Sequence, residues 1–387
     1  MEGGEVTGGS QGSVRGRRLL VLVTEDWYFC LHWMHIAVAA RAAGHHVTVA
    51  TRVSTHGERI RAAGLELVPI DLGRSGTNPL RDLVTLVRLT RLYRRLRPDV
   101  VQHIAVKPVL YGSVAARLAG VGAVVNTVAG LGYVFSSPEL LARLLRPLVA
   151  VGYRMALAPR SHRLVVQNGD DLEFFIRHAG VDRRRAFVIR GVGVDIDRFS
   201  PVPEPPGVPL ALLPARLLRD KGIAEFVAAA RLLRERGVHA RFAIAGDRDP
   251  LNPGSVPQQQ VDAWSGEGVV EFLGWQGDMA AVLRAAHIVC LPSYREGLPT
   301  ALTEAAACGR PIVTCDVQGC REVVRDGDNG LLVPARDPAA LAGALERLIT
   351  DAALRVRMGM RGRERALAEF SAERIVGETL ALYGAMT

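Results

Sequence analysis

Two series of short, β-branched apolar runs, each alternating with helical stretches, flank a proline-rich break, SPVPEPPGVP at 200–209, and this pattern leaves the chain few folds to choose from. Ahead of the break lie RLLVLVT at 18–24, HHVTVAT at 45–51 and further runs at 65–70, 100–104, 123–127, 163–167 and 186–190. WMHIAVAARAA at 33–43 forms a helical stretch stopped by Gly44. After it lie runs at 210–215, 240–246, 269–273, 287–291, 311–314 and 331–333, and the last 35 residues read as helix. Unbroken apolar strands alternating with helices specify parallel sheets covered on both faces. At 387 residues the chain exceeds one typical core. The expectation is an α/β protein of two Rossmann-like domains facing a cleft, with loops at the strand C-termini forming the sites. Residues 1–16 read as a disordered tail, 17–200 as the first domain, 201–209 as a linker and 210–369 as the second domain, with a closing helix over 370–387.

Composition narrows the class. Hydrophobic residues make up 49% of the chain and aromatics only 5%, with no apolar run of the ~18 residues that would span a membrane. The opening MEGGEVTGGSQGSVRGRR has no apolar core of a signal peptide. Five cysteines without zinc-like spacing (Cys30, Cys290, Cys308, Cys315, Cys320) suit reduced thiols and a cytoplasmic location. A net charge of +9 suits an anionic partner: nucleic acid, lipid headgroups or a phosphorylated substrate. Of 48 basic residues only Lys107 and Lys221 are lysine, which directs attention to both.

Chemistry concentrates in SYREGLPTALTEAAACGRPIVT at 293–314. Glu296 precedes glycine and lies near Pro299, so it belongs to a loop. Glu304 falls one turn into a helix that Thr300 is placed to cap. The backbone N–H groups around Leu298 to Ala301 then form an anion site at a helix N-terminus. Two readings stand for the acids: a helix-start pair with a solvated loop acid, or a site for hydroxyls on either side of a phosphate. The stretch ALLPARLLRDKGIAEFVAAARLL at 211–233 places Arg216 and Lys221 between a strand and a helix, an arrangement suited to a diphosphate and lacking a Walker pattern.

The first half offers three loops. TEDWYFCLHW at 24–33 presents Asp26, QHIAVKPVLYGSVAARLAGV at 102–121 presents Lys107, and NTVAGLGYVF at 126–135 presents Gly130 and Gly132. His103 reads as structural or catalytic in equal measure. RDLVTLVRLTRLYRRLR at 81–97 and the stretch at 139–163 mix Leu, Val and Arg, as interfacial helices or core-facing helices with a basic exposed side both do.

Together these motifs resemble the retaining GT-B glycosyltransferases of family 4. Their carriers are Glu296 and Glu304 with seven residues between them, the Arg216–Lys221–Gly222 run, IAGDRDPLNPG with Gly246 at 244–254, VIRGVGVDIDRFSP at 188–201 and EVVRDGDNGLLVPARDPAAL at 322–341. The family usually has Asn before Gly-Val-Asp, and this chain has Gly191-Val192-Gly193 instead. The resemblance implies that Glu296 meets the transferred hexose and Glu304 the ribose, with Gly246 and Leu298–Thr300 completing the donor site and Arg216 and Lys221 neutralising the departing diphosphate. Fixed cations at the leaving oxygen would replace a divalent metal, so neither metal nor cofactor is expected beyond a UDP-sugar co-substrate.

The first-half loops resemble the subset that extends polyprenyl-diphosphate-linked saccharides in bacterial surface glycan assembly. That implies an acceptor site at Asp26, Lys107, Gly130 and Gly132, peripheral attachment to the inner face of the cytoplasmic membrane, and no nucleic-acid partner. The final helix is expected to return to the first domain. Two other readings are a nucleotide-sugar 2-epimerase of this fold, which acceptor-dependent UDP release would argue against, and a non-enzymatic nucleic-acid binder. The second predicts aromatics interleaved with cations, which the Arg-rich segments largely lack.

Overall fold

A computed structural model describes residues 16–72, 79–130, 140–250 and 252–386. Residues 18–188 contribute seven strands: β1 (Arg18–Glu25), β2 (His46–Arg52), β3 (Glu66–Pro69), β4 (Val100–Ile104), β5 (Ala123–Val128), β6 (His162–Val166) and β7 (Ala186–Val188). Their order is β3-β2-β1-β4-β5-β6-β7. Residues 210–333 contribute β8 (Leu210–Pro214), β9 (Arg241–Ala245), β10 (Glu271–Gly274), β11 (Ile288–Leu291), β12 (Ile312–Cys315) and β13 (Gly330–Val333), ordered β10-β9-β8-β11-β12-β13. The described pairings are parallel: Leu19 sits opposite Val100 and Ala211 opposite Ile288. Strand order reverses between β1 and β4 and between β8 and β11, and loops leaving the C-terminal ends of those strands form the natural ligand crevice of each sheet.

Helices take the apolar stretches between strands. The first part carries α1 (Asp26–His32), α2 (Met34–Ala42), α3 (Gly57–Ala62), α4 (Pro79–Leu96), α5 (Val106–Ala119), α6 (Leu140–Leu157) and α7 (Gly169–Ala179). The second carries α8 (Ile223–Glu235), α9 (Gln258–Gly266), α10 (Met279–Ala285), α11 (Thr300–Ala307), α12 (Cys320–Val323), α13 (Pro338–Thr350), α14 (Ala352–Arg365) and α15 (Ala372–Gly384). Asp337 caps α13, accepting from Ala340 N at 2.9 Å, with Pro338 in the first turn.

The chain divides into two compact units, residues 1–126 with 386–387, and residues 127–385. Within the first, Leu20, Leu22, Leu89, Tyr93, Val101 and Val124 pack as one buried cluster. Within the second, the core runs through Leu212, Ile244, Val289, Leu302 and Val313. The proline-rich segment at 201–209 is pinned rather than loose. Glu204 pairs with Arg355 at 2.8 Å, and the Pro205 carbonyl faces His287 Nε2 at 2.9 Å. Near the C-terminus the chain returns to the 191–194 turn: Val194 N donates to Phe370 O and Ala372 N to Val194 O, both at 2.8 Å.

Two local expectations are corrected. Residues 24–33 are not a loop, because β1 continues to Glu25 and α1 begins at once with Asp26 in its first turn. An acid there favours the helix N-terminus. Thr300 does not cap α11: Pro299 holds the cap position with extended backbone (ψ 108°), no side chain caps the helix, and Thr300 is its first residue. Proline's fixed φ and missing N–H suit the point where an extended chain turns helical.

Candidate active site

The loop after β11 carries Glu296, and its carboxylate is met from two sides. Lys221 Nζ, at the end of the loop after β8, lies 2.5 Å from Glu296 Oε1, and Ser293 Oγ donates to the same oxygen at 2.7 Å. The side chains of Lys221 and Glu296 are only 19% and 10% exposed, so water screens the pair weakly. Lys221 ends a single 3₁₀ turn (Arg219–Lys221), after which Gly222 opens α8.

Beyond Glu296 the chain enters α11. Leu298 is buried and its side chain packs on the α-carbon face of Gly191, so only its backbone is left to meet a ligand. Pro299 is buried and Thr300 half-buried. With no capping side chain, the first N–H groups of α11 remain as donors for an anion. Glu304 lies one turn further along. Burial pushes its carboxyl up to about 7 against a lesser opposing pull from Arg198, and no hydrogen-bond donor meets the carboxylate among the described residues. At neutral pH it is therefore divided between acid and carboxylate.

Arg216 is exposed and engaged with an acid, its Nη1 lying 2.8 Å from Asp249 Oδ2. Gly246 follows β9 with φ +153°, where a Cβ would meet the Ala215 carbonyl oxygen at 2.1 Å, so only glycine lets the two loops run this close. Tyr294 donates its hydroxyl to Glu225 Oε1 at 2.7 Å beneath the guanidinium of Arg336, 4.6 Å from the ring centroid.

In the first unit Asp26 is fully buried. Its carboxylate accepts from Ser54 N, Ser54 Oγ, His56 N and Trp27 N at 2.5–2.8 Å. Burial raises its pKa, but these donors outweigh it and the net shift is downward. Asp26 thus ties the start of α1 to the 54–56 turn. Lys107 is half-buried in the first turn of α5. The turn into that helix passes through Ala105 at φ +81°, a conformation that costs an L-residue roughly 1–3 kcal/mol. In the second unit, Gly130 follows β5 at φ +124°; Gly132 lies outside the described residues.

His103 is fully buried, with Nδ1 at 2.8 Å from Asn126 Oδ1 and Nε2 at 3.0 Å from Tyr93 OH. Ser113 Oγ donates to the same Asn126 oxygen.

Sequence reasoning missed Ser293, Asp249 and Asn168. Ser293 stands three residues before Glu296, yet nothing in the string reveals that its hydroxyl turns back. Asn168 was findable as a cap, since Asn-Gly-Asp-Asp opens a helix, but not as a contact to residue 297.

Two family models match in succession: Glycosyl transferase 4-like over residues 18–168 and Glycosyl transferases group 1 over residues 209–351. A curated relative from Campylobacter jejuni, N,N'-diacetylbacillosaminyl-diphospho-undecaprenol alpha-1,3-N-acetylgalactosaminyltransferase, is 27% identical over 86% of this chain and 90% of its own length. UDP-Gal:alpha-D-GlcNAc-diphosphoundecaprenol alpha-1,3-galactosyltransferase from Escherichia coli is 28% identical over 72% of this chain and 73% of its own. Among solved structures, sucrose-phosphate synthase from Thermosynechococcus elongatus superposes with a TM-score of 0.77 at 22% identity, covering 95% of this chain and 98% of that one.

Proposed function

We propose that the chain, a glycosyltransferase with a Glycosyl transferase 4-like region followed by a Glycosyl transferases group 1 region, moves a hexose or N-acetylhexosamine from a UDP-sugar to a polyprenyl-diphosphate-linked saccharide with retention of configuration. One observation carries this reading: the Lys221–Glu296 pair stands ahead of the uncapped start of α11, and the same helix holds the half-buried carboxyl of Glu304, which no donor among the described residues meets. Those groups match a hexose, a diphosphate and a ribose in order. The names of both curated relatives, each an undecaprenyl-diphosphate saccharide transferase, support the acceptor class.

In this reading Glu296 accepts from a hexose hydroxyl, and Lys221 and Arg216 face the diphosphate, Arg216 turning from Asp249. Gly246 and the backbone of Leu298–Thr300 border the phosphates, and Glu304 accepts from the ribose. The bond from the anomeric carbon to the β-phosphate oxygen breaks while the acceptor hydroxyl bonds that carbon on the same face. The proton of that hydroxyl passes to the departing phosphate. Negative charge grows on the leaving oxygen, and Lys221 with the N–H groups of α11 stabilises it without reorganisation. Lys107 serves the anionic acceptor, while Asp26 positions the 54–56 turn rather than touching substrate.

The test is a panel of UDP-sugars assayed for UDP release with and without an undecaprenyl-diphosphate saccharide. One sugar should give acceptor-dependent release, at a rate that EDTA leaves unchanged. Acceptor-independent turnover, or loss in EDTA reversed by magnesium, would count against the reading.

Peripheral attachment to the inner face of the cytoplasmic membrane belongs to the same proposal. Helix α4 exposes Leu83, Val84 and Val87 (58%, 48% and 41%) beside exposed Arg88, Arg91, Arg94 and Arg95, and α6 exposes Leu148, Val151 and Met155 along one face. No helix among the described residues is long and apolar enough to cross a membrane, and such mixed faces suit the headgroup region. The protein should co-sediment with phosphatidylglycerol vesicles at low salt. Leu83→Asp with Val87→Asp should cut the bound fraction about tenfold by removing apolar insertion, and wild-type-like binding by the double variant would discard α4 as the contact.

A further inference from the structure

The loop that carries Glu296 is gripped from the turn between β6 and α7, and Asn168 does the gripping. Its Oδ1 caps α7, accepting from Asp171 N at 2.7 Å, while its Nδ2 donates to the Gly297 carbonyl at 2.7 Å and to Asp171 Oδ2 at 3.1 Å. Asn168 is 1% exposed, so the bond is shielded from competing water. The neighbours leave little slack around the same peptide. A Cβ on Gly297 would sit 2.4 Å from the Ala129 carbonyl oxygen, and one on Gly319 would sit 2.4 Å from the Gly297 oxygen and 2.7 Å from the Glu296 oxygen. Arg295 Nη2 lies 3.7 Å from the buried carboxylate of Asp171, adding a longer tether from the same turn. Glu322 accepts from Gly169 N at 3.0 Å and pairs with Arg190 at 3.1 Å, tying that turn to α12.

We propose that Asn168 is a positioning residue for the reaction: by holding the Gly297 carbonyl it sets the main chain from which Glu296 reaches Lys221 and the transferred sugar. The inference rests on the function proposed above for Glu296. Glycines at 297 and 319 allow the close approach but supply no directional bond to the Gly297 oxygen; the Asn168 amide does. Its two ends have separable duties, and Asn168→Ser separates them. Serine retains a capping oxygen for Asp171 N and has no group that reaches residue 297.

Two readouts are taken on the full chain, hydrogen–deuterium exchange and steady-state transfer. Asn168→Ser should melt within about 5 °C of wild type, since the cap survives and only the bond to Gly297 is lost. Amides at 296–298 should exchange about tenfold faster, and kcat should fall about tenfold at an unchanged donor KM, as expected for losing one buried hydrogen bond. Asn168→Ala, which loses cap and grip together, should show the same kinetic loss with a lower Tm. Unchanged exchange at 296–298, or wild-type kcat in Asn168→Ser, overturns the proposal, as does accelerated exchange throughout residues 210–385. The exchange readout needs no substrate. If the wild-type protein transfers no sugar while Asn168→Ser still loosens residues 296–298, the function assigned to Glu296 has failed and the grip has not.

Discussion

Lys221→Met is expected to lower kcat by about 10²–10³ while leaving the fold intact, the range found when one fixed donor to a developing oxyanion is removed. Methionine preserves the unbranched stem, so packing is nearly conserved and the change isolates the charge. Lys221 contributes twice in the proposed reaction: it faces the leaving diphosphate, and at rest it lies 2.5 Å from Glu296. Removing a buried cation leaves its carboxylate partner desolvated, the destabilising half of breaking an ion pair. Here Ser293 still donates to Glu296 Oε1 at 2.7 Å, and Lys221 retains 19% side-chain exposure. The melting temperature should therefore fall by no more than about 5 °C, roughly 1–2 kcal/mol for a domain of this size. Thermal melts beside single-turnover transfer decide the matter. Wild-type-like turnover removes Lys221 from the mechanism, and a loss of turnover matched by unfolding makes it structural.

The second large effect concerns pH. Glu304 has its carboxyl pushed up to about 7 by burial, and in the proposed reaction it accepts from ribose hydroxyls, best when ionised. Donor binding must therefore remove a proton at pH 6 and almost none at pH 8. UDP-glucose and UDP-N-acetylgalactosamine, whose phosphates do not titrate near neutrality, should bind about tenfold more tightly at pH 8 than at pH 6 by this linkage. Glu304→Gln should abolish the dependence and weaken binding at pH 8 by about 10- to 100-fold, since a charged acceptor is lost. Calorimetric titrations of both proteins at the two pH values are the check; a slope that survives in Glu304→Gln assigns it to another group.

Stability should move the opposite way. A carboxyl whose folded pKa lies above its unfolded value binds more protons in the folded state between about 4.5 and 7, so its contribution falls as pH rises through that window. Without ligand, Glu304→Gln should gain on wild type as pH goes from 5 to 8. The same residue thus weakens the empty protein where it strengthens donor binding, a trade common at binding sites.

Much of this was legible in the string. The strands over 100–104 and 210–214, the helix around Glu304, the Asp337 cap and the nearness of Lys107 to a helix start all follow from local rules: alternation of apolar runs, proline and glycine placement, and capping chemistry between residues a few positions apart. Lys221 and Glu296 were each legible as candidates because each sits where a strand runs into a loop ahead of a helix.

Their meeting was not legible, nor was anything else that depends on partners distant in sequence. Asp26 reads as an exposed loop acid, yet the 54–56 turn folds three donors onto it, and its carboxylate becomes a structural fastener. Thr300 reads as a cap, and Pro299 takes the position. Asn168 was missed altogether, and its grip could not be found locally, because the carbonyl it holds lies 129 residues away. Local sequence sets backbone preference, the apolar pattern sets which faces are buried, and these sufficed for two wound sheets and a short roll of candidate charges. Which charges are paired, shielded from water or left open to a ligand depends on burial and on donors brought together through space, and only the packed chain establishes those.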